Sequence, residues 1–308
     1  MLHSFQGELA ALLTAVFWTI TALAFESASK KAGSLSVNLL RLMMAFVFLS
    51  LYGLFTTGSL FPLNATTHNW IWLSVSGLIG FVLGDLFLFQ SYVVIGARIS
   101  MLVMALAPPI AAVTGWLMLG ETMTALGLIG MVVTLSGISL AILGRKAADE
   151  NEPISLKPRS RFGLKYPLKG LLLAFGGAAG QGIGLVFSKY GMGDYDAFAS
   201  SQIRVLTGVI GFMVVITVYG RWKRVKAAVQ NLPAMKSLSV GAFFGPFLGV
   251  SFSLLAVKYT STGIASTIMA ITPVMIIAPA ALFFHEKVTL REVIGAILAV
   301  IGVVMFFI

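Results

Sequence analysis

Long runs of apolar residues, separated by short polar segments, dominate this chain of 308 residues. Ten of these runs approach the roughly 20 residues that a helix needs to cross the hydrocarbon core of a bilayer. They lie at about 8–28, 36–56, 70–92, 98–118, 123–143, 169–190, 198–219, 236–257, 264–284 and 290–308. The strict alternation of apolar and polar residues that marks strands is absent from the sequence. We therefore predict an all-α integral membrane protein with ten transmembrane helices.

The apolar runs repeat at an offset of about 165 positions, which aligns Pro108 with Pro273 and Glu121 with Glu286. A slip of two residues then aligns Arg41 with Arg204. A small apolar alphabet explains matched leucines, but prolines and acids are scarce here. We predict a first repeat at 1–143, a basic linker at 144–167 and a second repeat at 168–308. Because each repeat would hold five helices, an odd number, the second would be inverted relative to the first.

Composition narrows the class of protein. The chain is 58% hydrophobic and 10% charged, whereas soluble domains carry about 25% charged residues. It has no cysteine, and its three histidines form no cluster in the sequence, so we expect no metal site and no cofactor. The net charge of +10 is spread over loops, which indicates membrane topology rather than binding of nucleic acid.

The positions of Lys and Arg predict the orientation. Alternate loops on one side hold most of them, while the other side holds little beyond Lys189 and Lys258. The basic side includes Lys30, Lys31, Arg98, Arg145, Lys146, Lys157, Arg159, Arg161, Lys165, Lys169, Arg221, Lys223, Arg224, Lys226, Lys236, Lys287 and Arg291. Because basic loops stay in the cytoplasm, we expect a multi-pass protein of the cell (inner) membrane with both termini outside the cytoplasm.

Several segments together resemble a known family. They are Ala11–Trp18, Leu39-Leu40-Arg41, Ser100–Pro108, Leu119-Gly120-Glu121-Thr122 and Gly130–Gly137, with their echoes in the second half. With these segments the chain resembles two EamA domains of the drug/metabolite transporter superfamily. The resemblance implies a ten-helix secondary transporter, commonly an exporter of metabolites such as amino acids. The chain departs from the pattern at His285, where Gly is usual, and Trp18 has Gln181 as its counterpart.

Asp85 is the strongest candidate for chemistry, because it lies deep in the third apolar run. An acid at the bilayer centre costs about 2.5–3.5 kcal/mol even on the lenient insertion scale. It is tolerated where it faces a wet cavity, a proton path or a partner charge. One alternative is a proton or amine site, and the other is a static pair with Arg41 that ties two helices together. A shifted helix boundary is a third.

Arg41 and Arg204 occupy equivalent positions early in the second helix of each repeat. We expect both side chains to snorkel to the headgroups, and the alternative is a shared gate or a carboxylate contact. Glu121 and Glu286 are expected to brace the turn between the fourth and fifth helices of their repeats.

Pro108 and Pro273 fall inside apolar runs and predict equivalent kinks beside a cavity. The cavity walls would be apolar and aromatic, with few polar points. The candidates are Trp18, Phe81, Phe87, Met104, Phe247 and Met269, with Gln181, Ser251 and Thr272 as polar points. Such walls suit a small amphipathic solute, including one whose amine meets Asp85. The alternative for each aromatic residue is a place in the core or against lipid.

These observations favour a gradient-driven transporter, with protons as a candidate coupling ion, and a monomer would suffice. A channel or a non-transporting receptor is the alternative, although no polar stripe or filter segment is visible. An intramembrane enzyme is disfavoured because the chain lacks His-Glu-x-x-His and a Gly-x-Ser-x-Gly with a membrane histidine. It has no Walker motif either, so nucleotide hydrolysis would not drive transport.

Overall fold

The computed structural model describes residues 5–95, 97–144, 167–277, 279 and 288–307, and these residues form helices joined by short connections without any strand. The first half contains α1 (Gln6–Ala32), α2 (Ser34–Thr57), α3 (Thr67–Gly77), α4 (Asp85–Ile95), α5 (Ala97–Met104), α6 (Ala107–Leu119) and α7 (Ala125–Gly144). The second half contains α8 (Leu168–Met192), α9 (Ala197–Val218), α10 (Trp222–Gln230), α11 (Leu232–Ala242), α12 (Val250–Tyr259), α13 (Thr262–Met269), α14 (Thr272–Met275) and α15 (Leu290–Val304).

The all-helical membrane architecture is confirmed. Within the described ranges, nine helical segments are long and apolar enough to cross a membrane, and Thr262–Met275 is a shorter apolar segment. The shorter segment begins the predicted span at 264–284, whose last residues lie outside the described part of the chain. The described part of this segment is therefore too short, by itself, to be identified as a tenth membrane-spanning helix.

Two π-helical turns interrupt the third and eighth apolar runs at equivalent places. Leu78–Gly84 joins α3 to α4, and Phe243–Gly249 joins α11 to α12. Pro246 lacks an N–H and so removes one bond from the second of these turns. Neither of these π-helical turns was predicted from the sequence. π-Helical turns are frequent at functional sites, and Asp85 directly follows the first one.

The predicted proline kinks correspond to two-residue interruptions within the helical segments Ser100–Leu119 and Thr262–Met275. α5 ends before a turn at Ala105 and Leu106, and α13 ends before a turn at Ala270 and Ile271. Pro108 and Pro273 then lie in the first turns of α6 and α14. A proline is well accommodated there, since the first turn has no intrahelical acceptor for its missing N–H.

α7 of the first half and α15 of the second half pack against each other in antiparallel orientation. Gly130 of α7 packs on Gly302 of α15, and Gly137 packs on Gly295. Side chains at these glycines would overlap the backbone of the opposite helix, so the two helices approach more closely than other residues permit. The fifth and tenth apolar runs therefore form one tight pair.

In the interior, α9 of the second half and α2 of the first half also pack in antiparallel orientation. Gly208 of α9 packs on Leu42 of α2, and Gln202 donates a hydrogen bond of 2.9 Å to the hydroxyl of Ser50. α3 and α4 pack on α8, while α11 and α12 pack on α1. Each half thus completes its core with helices of the other half.

Candidate functional site

Asp85 stands at the start of α4 and is 6% exposed. Its carboxylate forms an ion pair with Arg41 of α2, and it accepts a hydrogen bond of 3.2 Å from the side-chain amide of Gln181 of α8. The same amide lies 3.4 Å from the carbonyl oxygen of Gly80. The structure therefore brings Asp85, Arg41 and Gln181 together, which agrees with the pairing alternative and adds a third partner.

Close packing of glycines places Gln181 beside the acid. A Cβ atom on Gly180 would lie 2.8 Å from the Cα atom of Gly84, so α8 crosses the π-helical turn almost backbone to backbone. Ser76 also donates a hydrogen bond of 2.6 Å to the carbonyl oxygen of Gly184 further along this contact. The glycines of α8 thus act as packing positions, and the amide among them reaches the carboxylate.

Arg204 differs from the expectation that it snorkels, because it is only 6% exposed. The contacts of Gly208 with Leu42 and of Gln202 with Ser50 place it within about one turn of the crossing of α9 and α2. Its guanidinium lies over the ring of Phe81, 4.9 Å from the ring centroid. The side chain is therefore held inside the bundle against Phe81.

Arg204 has no carboxylate within salt-bridge distance among the described residues, and its Nε has no hydrogen-bond partner. The counterpart of Asp85 in the second half is Val250. A cation–π contact is worth about 2 kcal/mol when desolvated, but it supplies no acceptor for the Nε–H donor of the guanidinium. Together with Arg41 and Asp85, the buried cluster carries one excess positive charge.

Glu121 binds across the molecule. One oxygen lies 2.6 Å from Nζ of Lys189, and the other accepts hydrogen bonds of 2.8 Å and 2.6 Å from the backbone N–H and the hydroxyl of Thr262. Lys189 also donates to the carbonyl oxygen of Thr260, at 2.7 Å. The expectation that Glu121 braces its own turn therefore needs correction, because the carboxylate instead caps the N-terminus of α13. Glu286 lies outside the described residues.

The remaining wall candidates do not converge on one surface. Ser251 is fully buried and donates to the carbonyl oxygen of Phe247, and Thr272 donates to that of Met269, so both hydroxyls serve their own helices. Phe247 and Met269 are buried in the core, whereas Trp18 is half-buried against Gly249. Met104 is half-buried as well, and Pro108 is buried while Pro273 is half-buried.

Phe87 is 40% exposed and packs on Gly176. Together with residues at the start of α8, it lines an open apolar groove of about 460 Å³, whose other walls are Leu168, Lys169, Leu172 and Leu173. The groove contains none of the buried charged side chains. Phe87 is therefore separated from the cluster that Asp85 forms.

Sequence reasoning missed three buried polar residues. Asn38, Ser200 and Ser201 are at most 1% exposed, and their side-chain polar atoms have no hydrogen-bond partner. Asn38 precedes Arg41 by one helical turn, and the two serines precede Arg204 by one turn, so each shares a helix face with an arginine. The sequence did contain a signal for these residues, because a polar residue stands three positions before the arginine in both halves, Asn38 before Arg41 and Ser201 before Arg204.

No group of three or more His, Cys, Asp or Glu side chains within the described ranges could hold a metal ion. The site is instead a cluster of two guanidinium groups, one carboxylate and amide and hydroxyl groups, inside helices that are apolar elsewhere. Such a cluster can bind a small charged solute or exchange a proton.

Comparison with known proteins adds the following. The model of the EamA-like transporter family matches residues 5–143 and 168–308. An uncharacterized transporter of Archaeoglobus fulgidus is 30% identical over 124 residues, which cover 40% of this chain and 42% of that one. The uncharacterized transporter YvbV of Bacillus subtilis is 26% identical over 202 residues, 64% of this chain and 58% of that one. The chain thus spans about half the length of the curated relatives it matches.

A solved crystal structure of another protein has the same fold. It superposes with a TM-score of 0.70, covering 97% of this chain and 96% of that chain at 14% sequence identity. At this identity the likeness concerns the fold alone.

Proposed function

The chain belongs to the EamA-like transporter family and is a membrane transporter, and from that premise we propose that it is a gradient-driven exporter of a small metabolite. The proposed solute is amphipathic, such as an amino acid or an amine, and it moves by alternating access through ten helices arranged as two inverted five-helix repeats. The proposed repeats are 1–143 and 168–308, with 144–167 as the linker. Protons are the proposed coupling ion.

The observation that carries this proposal is the antiparallel contact of equivalent positions. Gly130 and Gly295 are counterparts in the two halves, as are Gly137 and Gly302, yet Gly130 packs on Gly302 and Gly137 on Gly295. A parallel duplication would not cross its counterparts in this way. Inverted repeats let one half perform facing outward what the other performs facing inward, which supports alternating access.

The position of the charged cluster supports a solute site between the halves. Asp85 and Arg41 come from the first half and Gln181 from the second, and Arg204 lies near the crossing of α2 and α9. In inverted-repeat carriers, substrates bind near the bilayer midplane at the interface of the repeats. We propose these four side chains as the polar part of the solute site, with half-buried Trp18 and Met104 as apolar walls.

Glu121 and Lys189 are proposed as a gate on the face where α6 and α8 end. The pair joins α6 to α8, and Thr262 adds α13, so breaking it would free three helix ends together. We assign this face to the outside of the cell membrane. This face holds Lys189 and Lys258, and Glu121 neutralises Lys189, so the face carries little of the positive charge that marks cytoplasmic loops.

The transport proposal is tested with purified protein in proteoliposomes, using labelled leucine and labelled 3-methylbutylamine as probes. We expect saturable uptake of a probe that accelerates when unlabelled probe is loaded inside, and that responds to an imposed pH gradient. Protein-free liposomes are the control. Flux that neither saturates nor shows this counterflow would contradict a carrier and favour the channel alternative.

Topology is tested separately with single cysteines, because the chain has no native cysteine. A cysteine at Lys258 should react with an impermeant reagent added to intact cells, and one at Lys223 should react only after permeabilisation. The reverse pattern would overturn the proposed orientation.

A further inference from the structure

The guanidinium of Arg204 is a buried cation, and no carboxylate of the described residues lies within salt-bridge distance of it. A Cβ atom on Gly77 would lie 2.6 Å from the carbonyl oxygen of Arg204, so α3 lies directly against this part of α9. The side chain then extends to Gly80, where a Cβ atom would lie 3.4 Å from Nη2, and it covers the ring of Phe81. Gly77 thus permits the close approach of α3 and α9, and Gly80 lies beside the guanidinium.

The equivalent cation in the first half has an acid. Arg41 pairs with Asp85, and Asp85 also accepts from Gln181. Arg204 has neither contact, since Val250 replaces the acid in the second half. A buried charge without a counter-ion is strongly disfavoured unless a ligand or water meets it.

A second observation points to a polar ligand at the same place. The hydroxyl groups of Ser200 and Ser201 are buried without hydrogen-bond partners, and they lie one turn before Arg204 on α9. Residues three and four apart share a helix face, so these hydroxyls flank the guanidinium side of α9. Buried polar groups normally have partners, and each exception calls for an explanation.

We infer that Arg204 binds a carboxylate of the transported solute, with Ser200 and Ser201 as neighbouring hydrogen-bond donors. This inference deepens the proposed transport function and rests on a solute reaching the interface of the halves. Binding of one carboxylate would neutralise the excess positive charge of the cluster. A solute with an amine and no carboxylate would add a second positive charge, while Asp85 is already engaged by Arg41.

The test measures the thermal unfolding of the purified full-length protein in detergent with matched probes. Leucine carries an amine and a carboxylate, 4-methylpentanoate only the carboxylate, and 3-methylbutylamine only the amine. Chloride replaces them in a fourth arm, because an inorganic anion could also meet Arg204. We expect leucine and 4-methylpentanoate to raise the Tm by about 3 °C or more at saturation, and the amine and chloride to leave it unchanged.

Substitutions identify the residue responsible. Arg204→Gln should abolish the rise, and Arg204→Lys should reduce it, because lysine keeps the charge but loses the bidentate geometry. Arg221→Gln, which removes an exposed arginine beyond the end of the same helix, should leave the rise intact. Equal rises in Arg204→Gln and the unaltered protein, or a rise with chloride equal to that with carboxylates, would overturn the inference.

A second variant keeps the test decisive if Arg204→Gln fails to fold. Val250→Asp places a carboxylate at the counterpart of Asp85, in the core cluster that also contains Val205. It should raise the Tm without any probe and cancel the rise that 4-methylpentanoate produces. A Val250→Asp protein that still gains the full rise would contradict the assignment.

Counterflow in proteoliposomes separates this inference from the transport proposal. Carboxylate-dependent stabilisation through Arg204 without counterflow would refute transport while the binding site stands. Counterflow of 3-methylbutylamine that Arg204→Gln leaves unchanged would refute the carboxylate site while transport stands.

Discussion

Within the described ranges two ion pairs join helices, and they differ in the hydrogen bonds and charges that surround them. Lys189 and Glu121 lie where helices end, and Thr260 and Thr262 supply further hydrogen bonds to both groups. Arg41 and Asp85 lie inside the bundle, where Nε of Arg41 has no hydrogen-bond partner and Arg204 adds a charge that no carboxylate of the described residues pairs with.

This difference distinguishes a structural ion pair from a ligand-binding site. A pair whose atoms are used by the protein itself has little left to offer a ligand, and its net charge is zero. A cluster with spare donors and a net charge is unfavourable in an apolar bundle unless something binds there. The end pair is therefore suited to hold a closed conformation, and the central cluster to recognise a solute.

Removing the acid of each pair gives the largest expected contrast. Asp85→Ala should lower the free energy of unfolding by about 3–5 kcal/mol, since it leaves the half-buried Arg41 and the buried Arg204 without a counter-charge. Glu121→Ala should cost about 1–2 kcal/mol, because Lys189 can turn to water and only a helix cap is lost. Unfolding in mixed micelles measures both.

Equal losses in these two variants would remove the distinction between the pairs. Asp85→Asn keeps the shape of the side chain and separates packing from charge. It should remain folded and lose transport, whereas Glu121→Gln should retain transport. Normal transport by Asp85→Asn would assign Asp85 a structural role.

Glycine substitutions sharpen the comparison at an intermediate scale. In Gly180→Ala the new Cβ would meet the Gly84 backbone at 2.8 Å, so helices must separate, at a cost of about 1–3 kcal/mol. In Gly115→Ala the new Cβ would meet side-chain atoms of Glu121 and Thr262, which can rotate away with the loss of the helix cap, about 1–2 kcal/mol. Thermal melting of both variants beside the unaltered protein should rank Gly180→Ala as the less stable.

The proline substitutions should have the smallest effect on stability, below about 1 kcal/mol, and a directional effect on conformation. Pro108→Ala favours continuation of α5 into α6, and Pro273→Ala favours continuation of α13 into α14. In inverted halves the two changes should bias the carrier towards opposite faces. Labelling of a cysteine at half-buried Met104, reached from either side of the membrane, would report this. A shift to the same side in both variants would contradict inverted gating.

Much of the fold was predictable because it depends on local composition. Apolar runs of bilayer length predict membrane helices, and the scarce prolines Pro108 and Pro273 are the basis of the predicted repeat. The pairing of Arg41 with Asp85 was one of the alternatives for the same reason, since few charges occur inside the runs.

The remaining features depend on contacts that no local pattern encodes. The π-helical turn at Leu78–Gly84 accompanies the close approach of Gly180, and Glu121 meets Thr262, 141 positions further along the chain. The expectation that Arg204 snorkels was wrong because it rested on the position of the residue early in its helix. The burial of Arg204 comes from the crossing of α9 with α2, which exists only once the two halves pack together.

The reach of Gln181 to Asp85 also has a consequence for biosynthesis. The two residues are 96 positions apart, so Asp85 leaves the ribosome about 5–20 s before its amide partner at ordinary rates of elongation. Arg41 is made earlier and can shield the acid throughout that interval. The first half can therefore enter the bilayer before the second half exists, and the nascent protein waits for its own translation to finish before the core closes.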